Sequence, residues 1–264
     1  MESKVNIKNR KGEKIVVLLR LNPNQKGLAF VMHGLGGFKE QDHLQPMSKA
    51  FEKRGYSVVL FDTTNTFGES DGTYEDATLT NYYEDLEDVI SWAKQQEWYQ
   101  EPFYLCGHSL GGMSIILFAE KYPAFVKGLA PISTTLSGKL SLASPRYQGN
   151  DILQQWKQTG WRVEERLSKP GEIKRLKWSH MEDRMKYDVL PRAKKLTMPV
   201  LMIVGDKDNG TPPDHQKILF NHLPGEKEIH IIKGAPHTFV DPQHIKEIQR
   251  LIRTWIQKHN KKEN

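Results

Sequence analysis

The chain has 264 residues, of which 38% are apolar and 27% are charged. This length and composition allow one large domain or two small ones with a substantial core, and they exclude a wholly disordered chain. A formal net charge of +6 is too small to indicate a nucleic-acid-binding protein. No apolar stretch approaches the roughly 20 residues of a membrane-spanning helix, so no integral membrane association is expected.

The first residues and the cysteine usage indicate which compartment to expect. The opening segment, MESKVNIKNRKGEK, contains no apolar run of the kind found in a secretory signal. Cys106 is the single cysteine, which excludes an internal disulfide and a zinc site built from several cysteines. A reducing compartment is the simplest interpretation, and the sequence therefore predicts a cytoplasmic protein.

Short apolar runs rich in β-branched residues alternate with longer helical patterns along most of the chain. The predicted strands are Lys14–Leu21, Leu28–His33, Ser57–Asp62, Phe103–Cys106, Val126–Pro131, Val200–Val204 and Glu228–Ile232. The predicted helices are Leu44–Arg54, Thr80–Gln96, Leu110–Lys121, Pro213–Asn221 and Pro242–Gln257. Several strands are apolar at every position, which is typical of strands buried on both faces of a parallel sheet. The alternation predicts an α/β fold with a mostly parallel, doubly wound sheet and helices on both faces.

One segment, residues 134–195, interrupts this alternation and shows no buried-strand pattern. Because connections between elements are normally a few residues long, we expect an insertion with structure of its own, dividing the core into residues 1–133 and 196–264. The segment contains 14 Lys and Arg against 7 Asp and Glu, and half of the six Trp residues. Such a charge can attract an anionic ligand, although it is also compatible with a solvated helical face.

The strongest chemical signal is a serine between a strand and a helix. Ser109 lies in the pattern Gly107-x-Ser109-x-Gly111, directly before the predicted helix Leu110–Lys121. A sharp strand-to-helix turn needs small residues two positions before and after the serine, because larger side chains there would clash. The helix also points its amino-terminal amides toward charge that develops nearby. Ser109 is therefore the predicted nucleophile, with an ordinary glycine-bounded turn as the alternative.

A serine hydroxyl needs a base at neutral pH, and the base needs an acid that orients it. His237 follows the strand Glu228–Ile232 on a loop, at the edge where parallel strands end. Two acids, Asp206 and Asp208, follow the strand Val200–Val204. We prefer Asp208, because Asp206 comes directly after the strand and fits a turn.

Two backbone amides are needed to bind the oxyanion of a tetrahedral intermediate. Leu110, the residue after the predicted nucleophile, supplies one of them. The glycine-rich loop His33-Gly-Leu-Gly-Gly37 supplies the other, for which we choose the amide of Leu35. The loop lacks the G-K-[ST] ending of a phosphate-binding loop and the six-residue dinucleotide pattern, which disfavours a nucleotide site. His33 is expected to order the loop rather than to transfer protons.

Five motifs in this order, HGLGG, FD…GESDG, GHSLGG, GDKDxxxP and GAPH, resemble those of α/β-hydrolase superfamily serine hydrolases. Nucleophile, acid and base also follow one another in the order of that superfamily. Within that superfamily the chain resembles small cytosolic esterases of the cinnamoyl/feruloyl type and the serine aminopeptidase-like and monoacylglycerol lipase-like group. The resemblance covers nearly the whole chain apart from residues 134–195.

The resemblance implies that Ser109, Asp208 and His237 form a catalytic triad, with the amides of Leu35 and Leu110 as the oxyanion hole. It also implies that residues 134–195 are a lid after the sixth strand. The expected function is hydrolysis of carboxylic esters of small to medium acyl or aryl acids through an acyl-enzyme. Thioester hydrolysis, peptide hydrolysis, perhydrolysis and a non-catalytic binding module remain alternatives on the same scaffold.

No cofactor and no metal are expected, because the chain has no H-E-x-x-H motif and its histidines are not clustered at ligand spacing. The expected partner is a small-molecule ester, with an anionic ester favoured by the charge of residues 134–195, and no nucleic acid. One departure from the family concerns the segment from Asp62 to Ser70, which lacks the Arg and His of the family pattern D-x-R-G-H-G-x-S. Those residues support loop structure in relatives, so a local difference beside the pocket is expected.

Overall fold

The computed structural model describes residues 1–166 and 169–260. The strands in these ranges are β1 (Glu2–Lys8), β2 (Lys14–Arg20), β3 (Leu28–Met32), β4 (Ser57–Phe61), β5 (Phe103–His108), β6 (Val126–Ile132), β7 (Trp161–Glu165), β8 (Ile173–Lys177), β9 (Val200–Gly205) and β10 (Lys227–Ile232). The helices are α1 (Leu44–Glu52), α2 (Leu79–Ala93), α3 (Leu110–Lys121), α4 (Gly138–Leu142), α5 (Ile152–Thr159), α6 (Ser179–Arg184), α7 (Pro213–His222) and α8 (Pro242–Asn260).

The main sheet of the described residues has the strand order β1-β2-β4-β3-β5-β6-β9-β10. β2 pairs antiparallel with both β1 and β4, whereas every pairing from β4 to β10 is parallel. This confirms the mostly parallel α/β fold predicted from the sequence. The chain leaves β3 toward β4 but leaves β5 toward β6, so the loops after β3 and β5 diverge. A crevice at the carboxyl ends of two such strands is the usual binding site of an open α/β sheet.

Helices cover both faces of this sheet. α1 and α8 pack together on one face, where Phe51 and Trp255 are buried against strand residues such as Tyr104. α2 and α3 pack together on the other face, around Leu86 and Ile115. Each buried side chain of this size contributes about 1.5–3 kcal/mol to folding. The two helical layers therefore stabilise the sheet from which the loops at the carboxyl edge extend.

The five predicted helices are all present, and the structure adds elements that the sequence patterns did not show. α8 continues past the predicted end at Gln257 to Asn260, and residues 261–264 lie outside the described ranges. β1 was not predicted, because on this charged edge strand Ile7 is the buried residue while its neighbours in the strand are exposed or partly exposed. In the part of the chain described here, no helix combines the length and apolar character needed to cross a bilayer.

Residues 134–195 contain helices α4, α5 and α6 and the antiparallel hairpin β7–β8, with residues 167–168 outside the described ranges. Trp156 of α5 is fully buried; its indole N–H donates to the carbonyl oxygen of Leu176 at 3.0 Å, and its ring stands edge-on to Trp178. Asp183 of α6 accepts hydrogen bonds from the amide and hydroxyl of Thr80, at 2.9 and 2.6 Å. The segment thus has an aromatic cluster of its own and is held against α2.

Candidate active site

Ser109 occupies the turn between β5 and α3 in a strained conformation, with φ of 55° and ψ of −115°. Positive φ is uncommon for residues other than glycine, and such strain costs on the order of 1–3 kcal/mol. The packed sheet and helix on either side hold the turn in place. The serine side chain is therefore presented at the carboxyl edge of the sheet, within the crevice next to β3.

Three glycines make this turn possible. A Cβ atom on Gly107 would lie 2.6 Å from the carbonyl oxygen of Gly111, and one on Gly34 would lie 2.9 Å from the Cβ of Ser109. A Cβ on Gly111 would overlap the carbonyl oxygen of His33. These close approaches explain why the residues two positions before and after Ser109 must be small.

The three side chains proposed from the sequence come together at the ends of β5, β9 and β10. His237 Nε2 lies 2.9 Å from Ser109 Oγ, and His237 Nδ1 lies 2.8 Å from Asp208 Oδ2. A carboxylate at Nδ1 fixes the tautomer with the proton on that atom, which leaves Nε2 free to accept the serine hydroxyl proton. Asp206, the alternative acid, instead accepts a hydrogen bond from the Gly234 amide at 2.7 Å.

Asp208 is buried, and its surroundings favour the ionised form. Burial opposes ionisation, but hydrogen bonds from His237 and Thr211 outweigh it, so the pKa of Asp208 lies well below its ordinary value. Thr211 donates its amide to Oδ1 at 2.8 Å and its hydroxyl to Oδ2 at 2.7 Å, and the Gly210 amide donates to Oδ1 at 2.9 Å. An ionised carboxylate here stabilises an imidazolium on the neighbouring histidine.

The two candidate oxyanion donors are the main-chain amides of Leu110 and Leu35. Leu110 is the first residue of α3, so its amide has no acceptor within the helix. Leu35 lies on the glycine-rich loop after β3 and lines the same cavity as Ser109. Tyr82 of α2 supports this loop, because its hydroxyl donates to the carbonyl oxygen of Gly34 at 3.2 Å and accepts the Gly36 amide at 3.1 Å.

His33 lies behind the loop and away from the candidate proton-transfer path. Its Nε2 accepts the Thr63 amide at 3.1 Å, so its Nδ1 carries the proton and donates to the carbonyl oxygen of Gly34 at 2.8 Å. Burial lowers the pKa of His33, which keeps the ring neutral. Its contacts are those of a residue that orders the loop.

His108 is a residue that sequence reasoning missed. Its Nε2 lies 2.8 Å from the main-chain carbonyl oxygen of His237. Burial, together with the neighbouring His43 and His237, lowers the pKa of His108 well below its ordinary value, so a neutral ring donates this hydrogen bond. The position is the variable residue before the serine in the motif, for which the motif demands no particular chemistry. Thr211 was missed for a similar reason, since it is one of several polar residues in the loop after Asp208.

A buried ion pair lies at the start of the segment after β4 that departs from the family pattern. Lys39 Nζ lies 2.7 Å from Asp62 Oδ2, and both side chains are fully buried. Lys39 also contacts Glu40 and Glu69, two more exposed carboxylates that pair with Lys4 as well. Amides of Lys39 and Glu69 donate to Asp62 at 2.7 and 2.8 Å, which ties the glycine-rich loop to the loop after β4.

A cavity of about 810 Å³ opens above Ser109 and His237. Its floor is formed by the loops at the carboxyl edge of the sheet. Much of its remaining wall comes from residues 134–195, namely Thr135, Ser141, Ser144, Arg146, Tyr147, Arg162, Glu164, Glu165, Lys174 and Arg184. The insertion and the candidate nucleophile therefore share one cavity.

A family model described as serine aminopeptidase, S33, matches residues 23–187. The chain belongs to this family. The fold and the family match together define a serine hydrolase of the α/β-hydrolase class. A second model, described as PhoPQ-activated pathogenicity-related protein, matches residues 154–263.

Known structures and one curated protein are also similar to this chain. One similar structure is Est1E from Butyrivibrio proteoclasticus with bound ferulic acid, with a TM-score of 0.80, 21% identity, and coverage of 97% of this chain and 98% of that chain. Mouse alpha/beta hydrolase domain-containing protein 10 gives a TM-score of 0.78, 17% identity, and coverage of 97% and 99%. An uncharacterised 31.7 kDa protein from the traX-finO intergenic region of Escherichia coli is 26% identical over 261 residues, covering 88% of this chain and 91% of that protein. At such identities the structural likeness shows the fold.

Proposed function

We propose that the protein hydrolyses carboxylic esters of small to medium acyl or aryl acids through a covalent acyl-enzyme. The observation that carries the proposal is the continuous hydrogen-bonded chain from Ser109 through His237 to Asp208, with distances of 2.9 and 2.8 Å. It lies on the strained turn at the carboxyl edge of the sheet and opens into a cavity of about 810 Å³. Nucleophile, base and orienting acid are thus within reach of one another and of a bound small molecule.

In the first half of the reaction, Ser109 Oγ attacks the ester carbonyl carbon while His237 Nε2 accepts the hydroxyl proton. Asp208 stabilises the resulting imidazolium. The amides of Leu35 and Leu110 donate hydrogen bonds to the oxyanion of the tetrahedral intermediate. His237 then donates its proton to the alcohol oxygen, the carbon–oxygen bond to the alcohol breaks, and the acyl group remains on Ser109.

In the second half, a water molecule replaces the alcohol. His237 accepts a proton from this water while the water oxygen attacks the acyl carbon. The second tetrahedral intermediate collapses, the bond to Ser109 breaks, and His237 returns the proton to the serine oxygen. The net reaction consumes one ester and one water and yields one acid and one alcohol. The chain itself supplies every group that these steps use, so the mechanism calls for no cofactor or metal.

We further propose that residues 134–195 act as a lid on a core formed by residues 1–133 and 196–264. Support comes from the cavity wall, which the insertion shares with the loops at the carboxyl edge. A covered cavity excludes bulk water and strengthens the hydrogen bonds to the oxyanion. The hydrogen bonds between Thr80 and Asp183 hold the insertion against α2.

The proposal is tested with p-nitrophenyl acetate, butyrate and octanoate, using Ser109→Ala as the control, and with fluorophosphonate labelling. We expect turnover and labelling in the native chain and loss of both in the variant. Labelling of Ser109 without ester turnover would overturn the ester proposal in favour of another acyl substrate, for which thioesters and amino-acid p-nitroanilides are the next arms. Absence of both turnover and labelling would favour a binding module.

A further inference from the structure

The end of the cavity formed by the insertion is rich in cations. Four cationic side chains of this segment line it, namely Arg146, Arg162, Lys174 and Arg184. The carboxylate of Glu164 is shared by three of them, at 2.6 Å from Arg146, 3.4 Å from Arg162 and 3.3 Å from Lys174. A single carboxylate between three cations leaves this wall positively charged.

Two further charged residues line the cavity and do not reverse this sign. Glu165 is exposed, and its carboxylate accepts the Gly171 amide at 2.7 Å within the hairpin loop. Lys207, from the loop after β9, adds another cation to the lining. The excess of positive charge that the sequence places in residues 134–195 is therefore directed in part toward the cavity rather than only toward solvent.

Arg184 is the cation with the least compensation. Within the described residues no carboxylate pairs with it, and its Nε is buried without a hydrogen-bond partner. Its terminal nitrogen lies 2.5 Å from Nε2 of His180, whose pKa is lowered well below its ordinary value by burial and by Arg184, so the imidazole is neutral. Burial lowers the pKa of Arg184 to about 10, so the guanidinium is still charged at neutral pH. The Nε–H of a charged guanidinium, buried without an acceptor, is unfavourable until a ligand supplies one.

Arg162 organises two tyrosines beside Arg184. Its side chain is 7% exposed and donates to the hydroxyl oxygens of Tyr147 at 3.0 Å and Tyr74 at 3.3 Å. A phenol that accepts from a guanidinium keeps its own proton available for another acceptor. Burial raises the pKa of Tyr74, so this proton is retained at neutral pH. Both tyrosines line the cavity, where they add neutral donors to the cations.

We propose that Arg162, Arg184, Tyr74 and Tyr147 form an anion-binding subsite. It binds a carboxylate or phosphate of the substrate, remote from the bond that is cleaved. This inference rests on the ester hydrolysis proposed above. It specifies that the esters hydrolysed are anionic. The subsite offers donors, and a guanidinium can hold two oxygens of one anion at once. An uncharged acyl chain in the same place would leave these donors unpaired, so the site discriminates against it.

The test compares matched esters that differ in one charge. On the acid side, mono-p-nitrophenyl suberate carries a free carboxylate, and its methyl-capped form does not. On the alcohol side, the butyrate ester of 4-hydroxybenzoate is compared with that of methyl 4-hydroxybenzoate. In a third pair, the charged member carries a phosphate in place of the carboxylate. We expect kcat/KM for the charged member of at least one pair to exceed that of its neutral partner by about 10-fold to 100-fold. The pair that responds identifies the anion and the side of the ester that carries it.

Arg184→Gln tests the residue, with Arg175→Gln as its matched control. Arg175 is an exposed arginine of β8, in the same insertion as Arg184; it packs over the Trp161 ring and does not line the cavity. Both variants lose one positive charge from residues 134–195. We expect Arg184→Gln to reduce the charged-to-neutral preference at least about tenfold, and Arg175→Gln to leave it within about twofold. An equal loss in both variants would overturn the subsite, because it would reduce the effect to the overall charge.

Failure of the subsite and failure of the ester hydrolysis give different results. If neutral and charged esters are hydrolysed equally and Ser109→Ala abolishes both, the subsite is wrong and the hydrolase proposal stands. If no ester is hydrolysed, calorimetry of mono-p-nitrophenyl suberate and its methyl-capped form with the Ser109→Ala variant still measures the preference. Equal affinity of that variant for the two forms would overturn the subsite, whereas tighter binding of the charged form, weakened by a second change Arg184→Gln, would support it.

Discussion

Nε2 of His108 donates a 2.8 Å hydrogen bond to the main-chain carbonyl oxygen of His237, which links the residue before the proposed nucleophile to the proposed base. The two rings also lie 4.9 Å apart, and the His43 ring packs edge-on against His108 at 4.5 Å. Because burial holds the pKa of His108 far below neutrality, the ring keeps this donor role over the working pH range. The end of β5 and the loop after β10 are therefore joined directly beneath Ser109.

Replacing His108 tests this link. His108→Phe keeps a ring of similar size but removes the donor, so the His237 loop loses its anchor and we expect kcat to fall about tenfold or more. His108→Gln places an amide donor near the position of Nε2 and should restore part of the loss. KM should change less than kcat in both variants, since the lost hydrogen bond positions the His237 loop. Steady-state kinetics that show the same kcat for His108→Phe and the native chain would contradict the positioning role.

Replacing Asp208 and Asp206 in turn distinguishes an acid that orients His237 from one that only stabilises a turn. Asp208→Asn removes the charge that fixes the His237 tautomer and stabilises its imidazolium, so kcat should fall on the order of 10³–10⁴-fold. Asp206→Asn is the matched control, because an asparagine oxygen can still accept the Gly234 amide. It should retain activity within about threefold. Comparable losses in the two variants would show that the loop, and not the carboxylate at His237, is what matters.

Gly34→Ala tests the close approach of the glycine-rich loop to the nucleophile. The added Cβ would lie 2.9 Å from the Ser109 Cβ and 3.0 Å from the His108 Nδ1, so the loop must move away. That movement should carry the Leu35 amide out of the proposed oxyanion hole, and loss of one such donor costs about 10²–10³ in kcat. Fluorophosphonate labelling and the melting temperature, measured on the same sample, separate a displaced loop from a collapsed fold. Native kcat in this variant would rule out the steric argument.

Much of the site was predictable because it obeys local and topological rules. The carboxyl ends of parallel strands meet at one edge, so a serine after β5, an acid after β9 and a histidine after β10 could be expected to converge. The choice of Asp208 over Asp206 followed from its distance from the strand end, and the structure places Asp208, not Asp206, beside His237.

Other features depend on contacts between distant segments and left no pattern in the sequence. Arg162 meets Tyr74, which lies 88 positions earlier, and Lys39 meets Asp62 across two loops. The hairpin β7–β8 escaped prediction because its strands are charged and largely exposed, so they lack the apolar runs that mark the core strands. The sequence could show how much charge residues 134–195 carry, but the folded arrangement decides which side chains turn toward the cavity.

The buried pair of Lys39 and Asp62 predicts a large loss of stability when one partner is removed. Lys39→Met leaves the Asp62 carboxylate buried without its cation, which should lower the free energy of unfolding by about 3–5 kcal/mol. Lys4→Met is the control, because Lys4 contacts Glu69 of the same cluster but its side chain is 49% exposed. Exposed pairs of this kind contribute about 0–1 kcal/mol. Urea denaturation of the two variants should therefore separate them clearly, and equal midpoints would contradict the role assigned to the buried ammonium.

Glu120 of α3 predicts a pH-dependent loss of stability that is independent of the active site. Its side chain is 3% exposed and one carboxylate oxygen has no hydrogen-bond partner. Burial raises the pKa of Glu120 to about 8 against the opposing effect of Arg192 and Lys195. The folded state therefore holds this proton more tightly than the unfolded state, whose glutamate titrates near its ordinary value, so stability is lost as the pH rises from about 4.5 through about 8.

Glu120→Gln removes this titration while keeping the shape of the side chain. We expect the variant and the native chain to unfold at similar urea concentrations at pH 5, where the native carboxyl is protonated in the folded state. At pH 9 the variant should be more stable by about 2–4 kcal/mol, because only the native chain must bury a charge or release it by unfolding. Glu97→Gln, at an exposed glutamate, is the control and should follow the native pH profile. Parallel stability profiles for Glu120→Gln and the native chain between pH 5 and pH 9 would show that Glu120 does not carry the predicted proton.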